Sequence, residues 1–184
     1  MYRVVFILLT SIFILGCKTP EARKPVSASS GSFIDESVAR NKALNEKERV
    51  QIEKLMANDS SKNYIASQSG FWYYYNNKVE NDSLQTPDFG DLVKFNYDIK
   101  NLEGEIIYTE TELKTQEYAM DQEELFTGLR EGLKLMKEGE TVTFLFPSQK
   151  AYGYYGDENK IGTNIPIICQ VTVNSITEND NQSN

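Results

Sequence analysis

Residues 123–147 read EELFTGLREGLKLMKEGETVTFLFP, and the change of period inside this stretch decides the fold. Leu125, Leu129, Leu133 and Met136 recur at helical spacing with Phe126 beside them, which predicts a short helix over residues 123–137. Gly139 follows as a helix stop. Residues 141–146, TVTFLF, then read as a strand, closed by Pro147, which has no N–H to give to a ladder.

Both flanks of this stretch carry strand signals. GFWYYY at 70–75 is a dense aromatic run, and Asn76-Asn77 suggests a turn after it. In residues 92–99, Val93, Phe95, Tyr97 and Ile99 share one face, with Lys94, Asn96 and Asp98 opposite. NLEG at 101–104 reads as a hairpin turn, and residues 105–109 as the return strand. The last strand is expected over residues 165–176. One helix cannot cover two faces of a sheet, so the expected architecture is α+β, an antiparallel sheet curled around one short helix.

Upstream, residues 33–63 form a helical extension. Phe33, Ile34, Val38, Leu44, Val50, Ile52, Leu55 and Met56 make a broken apolar stripe among charges, compatible with one helix or two. The stripe packs on the domain or offers a surface to a second copy or another partner. Residues 17–32 are rich in Pro, Ser, Ala and Lys and read as a flexible tether. The domain itself spans residues 64–178, and the polar residues 179–184 read as a disordered tail.

The N-terminus reads as an address. Arg3 precedes an apolar run over residues 4–15, shorter than the ~20 residues a membrane span needs and suited to a signal peptide over residues 1–16. Ile14-Leu15-Gly16-Cys17 resembles the lipobox of bacterial lipoproteins. That resemblance implies cleavage before Cys17, acylation of its thiol, and a protein anchored in the cell envelope, facing the periplasm, with several acyl chains for stable attachment. Cys169 is then left without an intramolecular partner among two cysteines, and its apolar neighbours suit a small buried side chain.

Composition excludes whole classes of chemistry. The 184 residues include no histidine, so no histidine general base, Ser-His-Asp or Cys-His device or His-ligated zinc site is available. Two cysteines cannot make a four-cysteine metal site. A net charge of −8 argues against a nucleic-acid footprint. No phosphate loop, metal cluster or repeat is visible, and no cofactor is implied. The carboxylate pairs Glu123-Glu124 and Asp157-Glu158 read as solvated faces. KAYGYYGDENKIG at 150–162 crowds three tyrosines into an apparent loop. Aromatic groups on a loop either tuck back onto the core or hold something.

The order of these elements resembles the FKBP-type peptidyl-prolyl isomerase family over residues 88–177. GLREGLKLMKEGE at 128–140 is similar to that family's helix and following turn, and Ala151-Tyr152-Gly153 to its loop motif. With the lipobox, the helical extension and Gly70-Phe71-Trp72-Tyr73, the chain looks closest to gliding-motility-associated FKBP-type lipoproteins of the Bacteroidetes. The resemblance implies Tyr97, Phe126 and Tyr152 as catalytic residues. The Phe126 N–H and the Tyr152 hydroxyl would be donors to the substrate. It implies Ile107, Tyr108, Leu125, Leu129, Ile161 and Cys169 as the binding surface. Tyr108 stands where many active members carry an aspartate, Leu129 where a floor tryptophan is usual, and Cys169 where a phenylalanine is common. From periodicity alone, Tyr97, Phe126 and Leu129 would be core.

The implied substrates are proline-containing proteins of the envelope, including gliding or secretion components. Prolyl rotation crosses a barrier of about 18–20 kcal/mol without breaking a bond, so an apolar pocket with a few donors suffices and histidine is not needed. A catalytically weak chaperone or assembly module is the alternative, favoured by Tyr108.

Overall fold

The computed structural model describes residues 30–81 and 83–179. The expected signal peptide, Cys17, most of the tether and residues 180–184 lie outside them. The chain divides into two compact units, residues 1–38 and 39–184. In the first, the described part is the opening of a helix, α1 (Ser30–Asn58), with Phe33, Ile34 and Val38 exposed. The helix is continuous, and it starts within the stretch read as tether.

In the second unit the strands are β1 (Ile65–Ala66), β2 (Trp72–Asn77), β3 (Leu92–Lys100), β4 (Ile106–Tyr108), β5 (Gln116–Ala119), β6 (Thr141–Phe146) and β7 (Ile167–Thr177). Two short helices join them, α2 (Glu110–Leu113) and α3 (Thr127–Leu133), with a 3-10 turn at Ser148–Lys150. The sheet runs β1-β2-β6-β7-β3-β4, with β5 also on β3, and every pairing is antiparallel. β3 alternates as expected: Val93, Phe95, Tyr97 and Ile99 are buried, and the residues between them are half-exposed.

The central helix is shorter than the leucine spacing predicts. Phe126 is extended (φ −61, ψ 141), so the helix cannot begin before Thr127. After Leu133 the amides of Leu135 and Met136 reach back only three residues, to Gly132 and Leu133, tightening the chain into turns. Asn76 and Asn77 end β2 rather than forming a turn, because each side-chain amide is used across the sheet. Thr143 Oγ1 donates to Asn76 Oδ1 at 2.7 Å, and Asn77 Nδ2 donates to the Gly139 carbonyl at 2.9 Å. α2 was not anticipated, although its capping box is written in the sequence. The Thr109 side chain accepts from the Glu112 N–H and the Glu112 carboxylate from the Thr109 N–H.

α3 lies on the sheet through glycine. A Cβ on Gly128 would sit 2.6 Å from Phe146 Cδ1 and from the Lys150 carbonyl, and one on Gly132 would sit 2.9 Å from Phe144 Cε1. Each glycine costs a helix roughly 1 kcal/mol against alanine. Here that cost secures close approach to Phe144 and Phe146, which stack at 5.4 Å and are both met edge-on by Phe71. Such aromatic pairs contribute about 0.5–1.5 kcal/mol each beyond their buried area. Leu129 and Leu133, also on α3, complete the core.

Candidate functional site

Sheet register brings the site's walls together. Cys169 on β7 pairs with Phe144 on β6 and with Ile99 on β3, and Ile99 pairs in turn with Tyr108 on β4. Directly opposed residues point to the same face, so one row crosses four strands from Phe144 to Tyr108. Tyr97 lies two residues from Ile99 on the same face, with its ring 5.5 Å from Phe95.

The other wall comes from connections. Phe126, the N-cap of α3, has its own N–H outside the helical ladder. Its ring lies 5.0 Å from Tyr152 and 5.6 Å from Phe146. Tyr152 follows the 3-10 turn, whose amides are tied to Pro147 and Ser148. Leu125, Phe126 and Tyr152 line an open depression of about 480 Å³ with Glu123, Glu124 and Arg130. Glu123 and Glu124 are exposed, as expected.

The structure sorts the anticipated residues by depth. Leu129, Cys169, Ile161 and Tyr97 are buried within the core cluster. Ile107, Tyr108, Leu125, Phe126 and Tyr152 are part-buried against it. Leu129 and Cys169 have no exposed surface. Of the three residues that periodicity alone would place in the core, Tyr97 and Leu129 are buried and Phe126 is part-buried. Of the three loop tyrosines only Tyr152 turns inward. Tyr154 and Tyr155 are 70% and 85% exposed and pack edge-on against each other at the rim.

Two hydroxyls of the candidate site are coupled, that of the buried Tyr97 and that of the part-buried Tyr152. Burial pushes Tyr97 up to about 12, Cys169 acts in the same sense, and a hydrogen bond with Tyr152 acts against them. Burial also pushes Tyr152 well above the ordinary phenol range, with Tyr97, Cys169, Asp157 and Tyr108 adding to it. Both stay protonated at neutral pH and can donate. Burial pushes the Cys169 thiol up as well, so it is not a ready nucleophile. Among the described residues no three His, Cys, Asp or Glu side chains are grouped to hold a metal, and no helix is long and apolar enough to cross a membrane.

Two groups escaped the sequence reading. Asp157 is not on a solvated face: its carboxylate accepts from the Tyr108 hydroxyl and from the amides of Asn159 at 3.0 Å and Ile161 at 2.7 Å. The Gly-Asp-x-Asn sequence at 156–159 is an Asx-turn signal that pointed to this. Its neighbour Glu158 is exposed, as expected. Glu48 of α1 is buried against Ser148, and no local pattern marks it.

Residues 84–174 match the family described as FKBP-type peptidyl-prolyl cis-trans isomerase. A probable FKBP-type peptidyl-prolyl cis-trans isomerase FkpA of Neisseria meningitidis is 26% identical over 148 residues, 80% of this chain and 52% of the relative. A probable FKBP-type peptidyl-prolyl cis-trans isomerase of Haemophilus influenzae is 24% identical over 158 residues, 85% of this chain and 64% of the relative. The chain thus spans about half to two thirds of the length of these relatives. FkpA of Escherichia coli superposes with a TM-score of 0.57 at 20% identity, over 96% of this chain and 82% of that one. A peptidyl-prolyl cis-trans isomerase of Pseudomonas syringae pv. tomato gives 0.57 at 19% identity, over 74% and 96%.

Proposed function

We propose that this chain, which belongs to the FKBP-type peptidyl-prolyl cis-trans isomerase family, isomerises X-Pro bonds of cell-envelope proteins. The observation that carries this reading is the pairing of Phe126 with Tyr152 at 5.0 Å above a buried Tyr97. A prolyl ring laid against this aromatic pair leaves its preceding carbonyl to be oriented by the Phe126 N–H and the Tyr152 hydroxyl. Twisting the amide removes its resonance and part of its dipole. A dry apolar wall therefore favours the twisted form over the planar one, and about 1.4 kcal/mol of that preference yields a tenfold gain in rate. No proton moves, so the lack of histidine is no obstacle.

The finer reading is a lipid-anchored protein, held through Cys17 and acting on gliding-motility or secretion components at the periplasmic side. The lipobox and the helical extension support it. The exposed Phe33, Ile34 and Val38 support pairing of the N-terminal helix with a second copy. Ile34→Glu with Val38→Glu is then expected to halve the mass seen in solution by light scattering.

The test of the activity is refolding of a protein whose slow phase is prolyl isomerisation. Catalytic amounts of the full chain should accelerate that phase. A second reading, a binding module with little turnover, is favoured by Tyr108, whose hydroxyl is committed to Asp157. Binding of an unfolded substrate with no acceleration would select it.

A further inference from the structure

The loop from Gly153 to Asn164 is organised by one carboxylate. Asp157 Oδ1 accepts from the amides of Asn159 and Ile161, and the Asp157 N–H donates to the Ile161 carbonyl at 3.0 Å. The turn is tight enough that a Cβ on Gly156 (φ +69) would lie 2.2 Å from the Ile161 carbonyl oxygen. The Asn164 N–H closes the loop onto the Gly153 carbonyl at 2.8 Å. Asp157 Oδ2 remains, and it takes the Tyr108 hydroxyl of β4.

Lys160 ties the same loop to the same edge. Its N–H donates to the Tyr108 hydroxyl oxygen at 3.3 Å. Its ammonium donates to the Ile107 carbonyl at 3.2 Å and to Glu112 Oε1 at 2.5 Å, and stands 4.6 Å from the centre of the Tyr108 ring. The loop that follows Tyr152 and carries Ile161 near its end is thus pinned to the strand carrying Ile107 and Tyr108.

From these contacts we propose that Tyr108 and Asp157 are a positioning pair, which holds the loop against β4 at the separation that a prolyl residue requires. This rests on the isomerase reading for its substrate, but the latch itself does not. A loop that opens spends part of its time unable to bind, and apparent affinity falls by the fraction that is competent. A bound substrate restores the closed form, so the loss falls on KM and spares kcat.

The experiment uses the full chain with Tyr108→Phe, Asp157→Asn and the double variant. Each single change is expected to raise KM for an X-Pro peptide about tenfold, the scale of one charge-assisted hydrogen bond, with kcat little changed. The double variant should be no worse than either single one, because both break the same contact. Amide exchange at Asn159, Lys160 and Ile161 should quicken in all three while exchange in β3 and β7 stays as in the wild type. Single effects that multiply in the double variant, or unchanged loop exchange in Asp157→Asn, overturn the proposal. If the wild type shows no turnover, the isomerase reading fails on that result, and the latch stands or falls on the exchange measurement alone.

Discussion

The Glu48 carboxylate grips Ser148 twice, accepting from its amide and from its hydroxyl, both at 2.7 Å, with both residues fully buried. Ser148 opens the 3-10 turn that leads to Tyr152. One helix residue therefore fixes the start of the loop that covers the site. Beside it, Asn45 Nδ2 donates to Gln149 Oε1 at 3.1 Å, and Ile52 is buried one helical turn on. Removing one partner of a buried charged hydrogen bond leaves the other unsatisfied. Glu48→Ala is expected to cost about 2–4 kcal/mol in denaturant unfolding. Glu46→Ala, on the exposed face of the same helix, should change stability by less than about 0.5 kcal/mol.

Gly128 separates steric from conformational need. Gly128→Ala drives a methyl into Phe146 and the Lys150 carbonyl, both at 2.6 Å, and is expected to cost about 1–3 kcal/mol or more through overpacking. Gly104 has nothing within 4 Å of a Cβ but sits at φ +86. Gly104→Ala should cost about 1 kcal/mol through backbone strain alone. Equal losses at the two positions, read from thermal unfolding, would remove close helix-sheet packing as the reason for Gly128.

Acid should loosen the loop before it unfolds the sheet. Burial acts to raise the Asp157 carboxyl, but hydrogen bonds from Tyr108 and from the amides of Ile161 and Asn159 outweigh it and hold it below its ordinary value of 3.8. The Lys160 ammonium, with the Thr109 N–H and hydroxyl, holds Glu112 down to about 2. Both folded-state values lie below the unfolded ones. The stability they contribute is therefore present above the ordinary carboxylate range and is lost as pH falls. Melting of the wild type against Glu112→Gln with Asp157→Asn should show a gap at neutral pH that closes between about pH 5 and pH 2. A gap that widens with acid contradicts this assignment.

Lipid anchoring has a direct test. Cys17→Ala should move the protein from the membrane to the soluble fraction and abolish incorporation of labelled fatty acid. Continued membrane partitioning of a processed Cys17→Ala protein speaks against it.

The fold was legible where burial imposes a period. β3 alternates without a break because one of its faces is core, and β6 ends at Pro147 as read. The length of α3 was not legible, because Leu125 and Met136 keep helical spacing while the chain at Phe126 is extended and after Leu133 winds into turns. The Asn76-Asn77 pair misled because a side-chain amide suits a turn and a cross-sheet bond equally well. In the site, Tyr97, Phe126 and Tyr152 could be named only through resemblance, since apolar periodicity does not distinguish a pocket wall from a core. The Asx turn at Asp157 was written locally, but its contact across the fold, like that of Glu48, was not. The distant partners are Tyr108, 49 residues from Asp157, and Ser148, 100 residues from Glu48, and no local pattern encodes such pairings.

The central claim is tested most directly by NMR exchange spectroscopy of a short X-Pro peptide, with the full chain, Phe126→Ala and Tyr152→Phe. The account predicts that the wild type speeds cis–trans exchange, that Tyr152→Phe is slower by about tenfold, as one lost donor implies, and that Phe126→Ala is slower still, with both variants folded. Exchange unaffected by the folded wild type, or equally fast with all three proteins, would contradict it.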